Sequence, residues 1–305
     1  MSGTRDIRQT LIDLLPPATV AAVVAFWGLA PARWTDNPLS MILMVAAVTI
    51  FVQGLEWIAE RHEGWRIDRR EFATDLAYVV FNATVISWLS THLAEDPLRA
   101  FKAWAGITTQ WAMHMPFLAQ VALVIVVIEF GQYWMHRAMH NTFLWYTHAP
   151  HHHLTQLNAM KGAVGNPLEL LLISLSVIAL FDVPLAALFC GLSVLTVVST
   201  FAHANVRANP PAFYSFFFTT IRHHSLHHST GYDETRTNYG NSLILLDRLF
   251  GTYREGEGVV VGQDDRRRLS ILEQTMFPLR PAMEKIAARR AMAGEGGEGS
   301  EAVAR

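Results

Sequence analysis

Apolar runs of membrane-crossing length constrain this chain more than any other feature. Residues 14–31, 39–58, 74–94 and 117–135 are strongly apolar, and a further apolar stretch runs from Leu168 to about Phe201. Each of the first four approaches the roughly 20 residues that a helix needs to span a bilayer core. Backbone polar groups in hydrocarbon must be satisfied inside the segment, so such runs fold as helices. The last run is interrupted at Asp182-Val-Pro184, where proline removes a donor and blocks helix continuation. The pattern predicts two shorter helices forming a hairpin, either re-entrant or spanning together. Charged residues make up 16% of the chain, against about 25% in ordinary soluble domains. The expected fold is therefore an all-α integral membrane protein with about four transmembrane helices plus a helical hairpin.

Charge placement orients these segments. Arg5 and Arg8 precede the first run, and Arg61, Arg66, Arg69 and Arg70 fill the loop between the second and third. The opposite loops hold fewer cations: Arg33 on one, Arg99 and Lys102 on the other. The positive-inside rule then places the N-terminus and loop 59–73 in the cytoplasm. By counting crossings, the chain after residue 135 and the whole C-terminal third fall on the same side. The membrane would be a bacterial inner membrane or one of the endoplasmic-reticulum type. The start, "MSGTRDIRQTLIDLLPP", shows no small-residue cleavage site, and no removable signal peptide is expected. The end, "AARRAMAGEGGEGSEAVAR", is rich in Gly, Ala and Glu and is expected to be disordered. The single cysteine, Cys190, lies within an apolar run and reads as a small buried hydrophobe. A net charge of −2 with no basic face sets nucleic acid aside as a partner.

Eleven of the 14 histidines fall between residues 136 and 228, outside or at the very ends of the apolar runs. His136 and His140 are four apart; His148, His151 and His152 form HxxHH; His224, His227 and His228 form a second HxxHH, preceded by His223. Residues three and four apart share a helix face, so each group can aim two or three rings at one point. Neutral imidazole ligates zinc, iron, copper and nickel. Eight or more rings exceed what one ion can take, and the count predicts two metals. Ionisable clusters at a membrane are costly to keep and mark function. Single histidines such as His62, His92 and His114 read as interfacial residues, whereas His203, at the end of the last apolar run, would extend the site from another helix. His153 and His223 are outlying candidates. Glu129, two turns before His136 on the same face, is a candidate carboxylate partner for a ligand imidazole, with Asp75 and Glu169 behind it. Pro150 disfavours helix at Ala149, which predicts a helix starting near Pro150 with His148 just outside it.

The segments "HRAMH", "HAPHH" and "HHSLHH", followed by "NYGNSLILLDRLFGTY", resemble the fatty acid hydroxylase/sterol desaturase superfamily over roughly residues 71–254. That resemblance implies a helical membrane domain, a cytosolic cap, and a non-haem di-iron site of two ferrous ions, which zinc can replace on purification. It assigns ligand roles to His136, His140, His148, His151, His152, His203, His224, His227 and His228. In "MKGAVGNPLE", where many relatives carry an Arg and a His-Pro, this chain has Lys161 and Asn166. The expected division is 1–73 for the first transmembrane helices and loop, 74–255 for the catalytic domain, and 256–305 for a C-terminal segment. Tyr239, Asp247 and Arg248 read as structural, with an Asp–Arg pair and a turn at Gly251 locking the cap. The implied activity is hydroxylation or desaturation of an unactivated C–H bond by O2, with no catalytic residue beyond the metal centre. The membrane setting points to a lipid substrate: fatty acyl, sterol-like, carotenoid or ether lipid. The aromatics "FYSFFF" at 213–218 read as interfacial anchors, with lining of the lipid's entry from the bilayer as the alternative. No CxxC set or GxGxxG loop is present, so electrons would come from a separate ferredoxin or cytochrome/reductase chain. A His-rich metal transporter would place its ligands nearer mid-membrane; a di-haem carrier would need fewer histidines; a zinc-stabilised, non-catalytic membrane protein uses the same rings.

Overall fold

The computed structural model describes residues 6–263 and 265–289, which form helices and connecting loops with no named strand among them. Five helices are long and apolar enough to cross a membrane: α1 (Ile7–Leu29), α2 (Pro38–Ile58), α3 (Arg69–Trp104), α4 (Phe117–Asn141) and a later one, Leu185–His203. Between α4 and that helix lie α5 (Trp145–His152) and the short apolar α6 (Pro167–Ser174), so Leu185–His203 is α7. The cap continues with α8 (Ile221–His227), α9 (Ile244–Phe250) and α10 (Ile271–Met276). The expected disorder of the last residues lies largely outside the described ones.

The helix starts follow from local chemistry. Asn37 accepts from the Leu39 amide with Pro38 in the first turn, and Asp68 accepts from the Glu71 amide. Asn166 and Glu169 form a capping box at α6. Gly251 ends α9 in the left-handed conformation, φ 72°, that glycine adopts without strain.

Helix α7 is the hub. It is buried along most of its length and packs against α1, α2 and α4. Lipid tails are as apolar as leucine, so close packing and hydrogen bonds, rather than hydrophobicity, hold such helices together. A Cβ at Gly191 would lie 2.8 Å from Val124 Cβ, so only glycine lets α7 approach α4 this closely. Trp27 on α1 donates to Ser193 on α7 at 2.9 Å.

Three segments differ from expectation. Helix α3 runs well past residues 74–94, because two π-helical turns, Asn82–Ile86 and Thr91–Glu95, carry it on to Trp104. Helix α4 continues two turns beyond residue 135 and carries His136 and His140 on the apolar helix itself. The hairpin is lopsided. Its first limb is only α6 and a 3₁₀ turn at Ile178–Leu180, while its second limb is a full helix.

Candidate metal centre

The ends of α2, α4 and α7 and the start of α3 gather at one end of the molecule. His62, just after α2, is bonded through its backbone to Asn205, just after α7, and Arg61 pairs with Glu257 of the cap. Asp75 on α3 accepts from Asn158 in the loop after α5. At this end the structure brings all nine expected ligand histidines together, in two groups. His136, His140, His148, His152 and His227 form one; His151, His203, His224 and His228 form the other. Within each group one ligand atom per residue lies within 4.8 Å of all the rest, and every ring is buried. The groups share a wall, where the rings of His152 and His228 stack with centroids 4.5 Å apart.

Each HxxHH box is split between the groups. His148 and His152, four apart on α5, face the first, while His151 turns to the second. His224 and His228 face the second, while His227 crosses to the first. At 100° per residue, positions i and i+4 are nearly superposed along a helix, and i+3 lies to one side. A box therefore serves two points rather than the single point expected. His148 also lies inside α5, not before it. Pro150 is accommodated because a helix of eight residues loses only one backbone donor to it.

The proton positions decide what the rings can hold. Nδ1 of His136, His151, His203 and His227 lies 2.7–2.8 Å from the carbonyl oxygens of Tyr239, Val164, Ser199 and Thr237 respectively. Carbonyls only accept, so these Nδ1 atoms carry the proton and each Nε2 is a bare lone pair. Yet Nε2 of His136 lies 3.0 Å from Nε2 of both His148 and His227, and Nε2 of His203 lies 2.9 Å from that of His224. Protonating the rings does not relieve this. Burial pushes His148 down to about 3. Burial first, then neighbouring imidazoles, lowers His224, His227 and His228 well below the ordinary histidine range. His136 and His227, both fixed as Nδ1–H tautomers, therefore face each other with two lone pairs at 3.0 Å, an arrangement that calls for a cation between them. His140 Nε2, buried with no partner, adds a further free donor. With metal–nitrogen bonds of about 2.1 Å, ligands at right angles sit about 3.0 Å apart and tetrahedral ones about 3.4 Å. The closest observed spacings, 2.9–3.1 Å, are compatible with nitrogens that share an ion. The residues present thus fit two metal ions.

The carboxylate partner of the rings is Glu169, whose Oε1 lies 2.6 Å from His148 Nδ1. Glu129 and Asp75 touch no histidine, contrary to expectation. Glu129 accepts from the Ser242 and Leu243 amides, and Asp75 pairs with Lys161. Their spacing from a histidine along the chain said nothing about the fold's choice of partner. His223 and His153 lie outside both groups, near Glu255 and Asp265. Asp247 and Arg248 do not pair. Asp247 accepts from the Tyr239 and Gly240 amides and thereby fixes the carbonyl that holds His136. Burial, opposed by these hydrogen bonds, leaves the Asp247 carboxyl pushed up to about 6. Arg248 stacks on Tyr253 at 3.6 Å.

Two further positioning groups gave little sequence signal. Glu56, near the end of α2, accepts from the amides of Ala159 and Asn205, both at 2.8 Å, and so ties the loop after α5 to the bend just past His203. Lys161 is buried between Glu71 and Asp75 on α3. Its neighbour Gly162 lies against the His203 ring, where a Cβ would come within 3.2 Å. A lone acid near the end of an apolar helix was the only sign of Glu56, and Lys161 stood out only as a departure from the pattern of the family it resembles.

Comparison with known proteins agrees with this geometry. Residues 121–252 match the fatty acid hydroxylase family model, a stretch holding every residue of both groups. The chain is 34% identical over 153 residues to the ornithine lipid hydroxylase of Rhizobium tropici, covering 47% of this chain and 44% of that one. It is 30% identical over 149 residues to a Δ7-sterol-C5(6)-desaturase of Nicotiana tabacum, covering 46% and 52%. It is 31% identical over 160 residues to sphinganine C4-monooxygenase 2 of Arabidopsis thaliana, covering 48% and 58%. The chain thus spans about half the length of the curated relatives it matches. No solved structure matches it significantly. The resemblance drawn from the histidine boxes is borne out over this stretch.

Proposed function

We propose that this chain, whose residues 121–252 match the fatty acid hydroxylase family, is a membrane-bound non-haem di-iron oxygenase that hydroxylates or desaturates an unactivated C–H position of a lipid. The observation that carries the reading is the convergence of nine buried imidazoles in two adjacent groups, with Nε2 atoms 2.9–3.0 Å apart and the His136–His227 pair facing through bare lone pairs. The relatives' names supply the lipid: ornithine lipid, sterol and sphinganine. His136, His140, His148, His152 and His227 would hold one ion, and His151, His203, His224 and His228 the other.

When bound, two redox-active ions supply the reduction of O2 and the oxidation of the C–H bond. The protein holds the ring planes. Carbonyls of Tyr239, Thr237, Val164 and Ser199 fix tautomers, and Glu169 draws on the His148 N–H and so makes that ring a stronger donor. Hydroxylation consumes O2, two electrons and two protons, and yields the alcohol and one water. Desaturation consumes the same and yields the alkene and two waters. The electrons come from a separate ferredoxin or cytochrome/reductase partner. We place the histidine end, with the Arg-rich loop 59–73, on the cytoplasmic side.

The test is metal content of detergent-extracted, untagged protein purified without added metal, followed by O2 uptake with lipid and a chemical reductant. About two irons per chain and lipid-dependent uptake are expected. Two zincs that cannot be exchanged for active iron would favour a zinc-stabilised membrane protein, and absence of transition metal would favour the transporter reading.

A further inference from the structure

The chain between α6 and α7 does not fill the space that a full helix would. Helix α6 stops at Ser174, one 3₁₀ turn follows at Ile178–Leu180, and α7 begins at Leu185. Irregular backbone at membrane depth persists only where protein covers it or where it lines a cavity. Here it lines one. A cavity of about 760 Å³ lies between residues 95–110, Ile128 and Gln132 of α4, and residues 174–192. Ligand sites range over about 300–1,000 Å³.

The two ends of the cavity differ in chemistry. The end away from the histidines carries Glu95, Arg99, Lys102 and Asp182. Arg99 is bonded to Glu95 at 2.7 Å and Lys102 to Asp182 at 2.6 Å. Glu95 closes the second π-helical turn of α3, a distortion that often marks a functional site. The waist is apolar, formed by residues such as Leu188 and Leu192. The inner end reaches Gln132, one helical turn and about 6 Å along α4 from His136.

We propose that this cavity binds a membrane lipid bearing a zwitterionic head, with the head at Glu95, Arg99, Lys102 and Asp182 and an acyl chain running toward Gln132. The charged quartet sums to zero. Lys102 and Asp182 are closed on each other and on Thr109, so the more exposed Arg99–Glu95 pair is the one that meets the head, its cation facing the phosphate and its carboxylate the ammonium of a zwitterion, whereas an anionic head would meet that carboxylate unmatched. This rests on the di-iron reading and deepens it. Helix α7 spans about 27 Å from Leu185 to His203, so oxidation falls far down the chain from the head.

The test is photo-crosslinking in nanodiscs with phosphatidylethanolamine carrying a diazirine either at the acyl terminus or beside the head, against matched phosphatidylglycerol probes. Metal content is measured on the same preparation. The terminal probe is expected on peptides holding Gln132 and Ser174, and the head probe on residues 95–110, with phosphatidylethanolamine favoured about fivefold. Leu192→Trp, which fills the waist, should cut terminal-probe labelling about tenfold while labelling of lipid-facing Leu39 and Ile42 on α2 and the metal content stay unchanged. Arg99→Gln, an exposed change that spares the fold, should abolish the preference for phosphatidylethanolamine. Labelling untouched by Leu192→Trp would show only bulk lipid against the helices and overturn the site. A reversed pattern would overturn the orientation, and equal labelling by both head types would overturn the head assignment. Specific labelling of protein that binds no metal would sink the di-iron reading and leave the cavity standing.

Discussion

The two histidine groups are near mirror images in sequence logic but not in how firmly they are held. Each takes an i, i+4 pair from one HxxHH box and the odd ring from the other box. In the five-ring group, His136, His148 and His227 are anchored through Nδ1, one of them by a carboxylate. In the four-ring group only His151 and His203 are anchored. Each group also holds rings with no anchor, His152 in the first and His224 and His228 in the second, their Nδ1 atoms buried without a partner, so the five-ring group is ahead by one anchor and by its carboxylate. An anchored ring has its tautomer and plane set before metal arrives, whereas an unanchored one must be set by the metal. The difference suggests a tight, fixed site beside a looser, more adjustable one.

Removing one hub from each group tests this most severely. His136 Nε2 faces both His148 and His227, so His136→Ala should cost the five-ring metal and reduce turnover to below about one hundredth. His203→Ala should remove only the four-ring metal, leaving about one ion per chain by elemental analysis. In the unmutated protein, a chelator should strip the four-ring ion first, in a biphasic release. Equal loss of both ions in either variant, or a single release phase, would mean that the nine rings act as one site.

A smaller change separates the carboxylate anchor from its structural duty. Glu169 both meets His148 and, through its other oxygen, accepts from the Asn166 amide in the α6 capping box. Glu169→Gln keeps an acceptor for the cap but removes the carboxyl group that meets His148 Nδ1, so five-ring metal affinity should fall about 10–100-fold with little loss of stability. Asn166→Ala should do the reverse, costing about 1 kcal/mol of stability and sparing affinity. If the two variants have the same effect on metal binding, Glu169 is only a cap.

Much of this was legible in the chain because it is local. Apolar runs report spans by composition alone, and histidines four apart report a shared face by geometry alone. The allocation of His151 and His227 to the opposite group was not legible, because it depends on how α5 and α8 are set against each other. Nor was the choice of Glu169 over Glu129 and Asp75. All three are acids in or beside apolar helices, and only the tertiary fold decides which meets an imidazole, which caps a loop and which neutralises Lys161. The lopsided hairpin was half legible: Asp182-Val-Pro184 marks the break, but nothing in the apolar sequence from Leu175 to Phe181 says that it will not be helical. Asp182 itself is held down to about 2 by bonds from Lys102 and Thr109, and so locks the far end of that break.

The smallest expected effect lies at the rim of the histidine end, where Glu257 of the cap meets Arg61 and His62 after α2. The hydrogen bonds from Arg61, opposed by partial burial, hold the Glu257 carboxyl down from 4.5 to about 2. A depressed carboxylate contributes stability that is fully present above its ordinary value and is lost as pH falls through the folded one. The cap should therefore loosen between about pH 4.5 and pH 2 and be indifferent to pH above that window. Partly exposed pairs contribute at most about 1 kcal/mol, so the change is a modest drop in Tm, read by thermal unfolding across that range at constant ionic strength. Arg61→Leu should lower Tm at neutral pH and flatten the acid dependence, because the carboxyl then titrates near its ordinary value in both states. Since Arg61 sits between the bend after His203 and the cap that carries His224, His227 and His228, the same variant should speed release of the four-ring ion more than the five-ring one. An unchanged ratio of the two release rates would show that the looser site owes its looseness to the unanchored rings alone, and not to the cap above them.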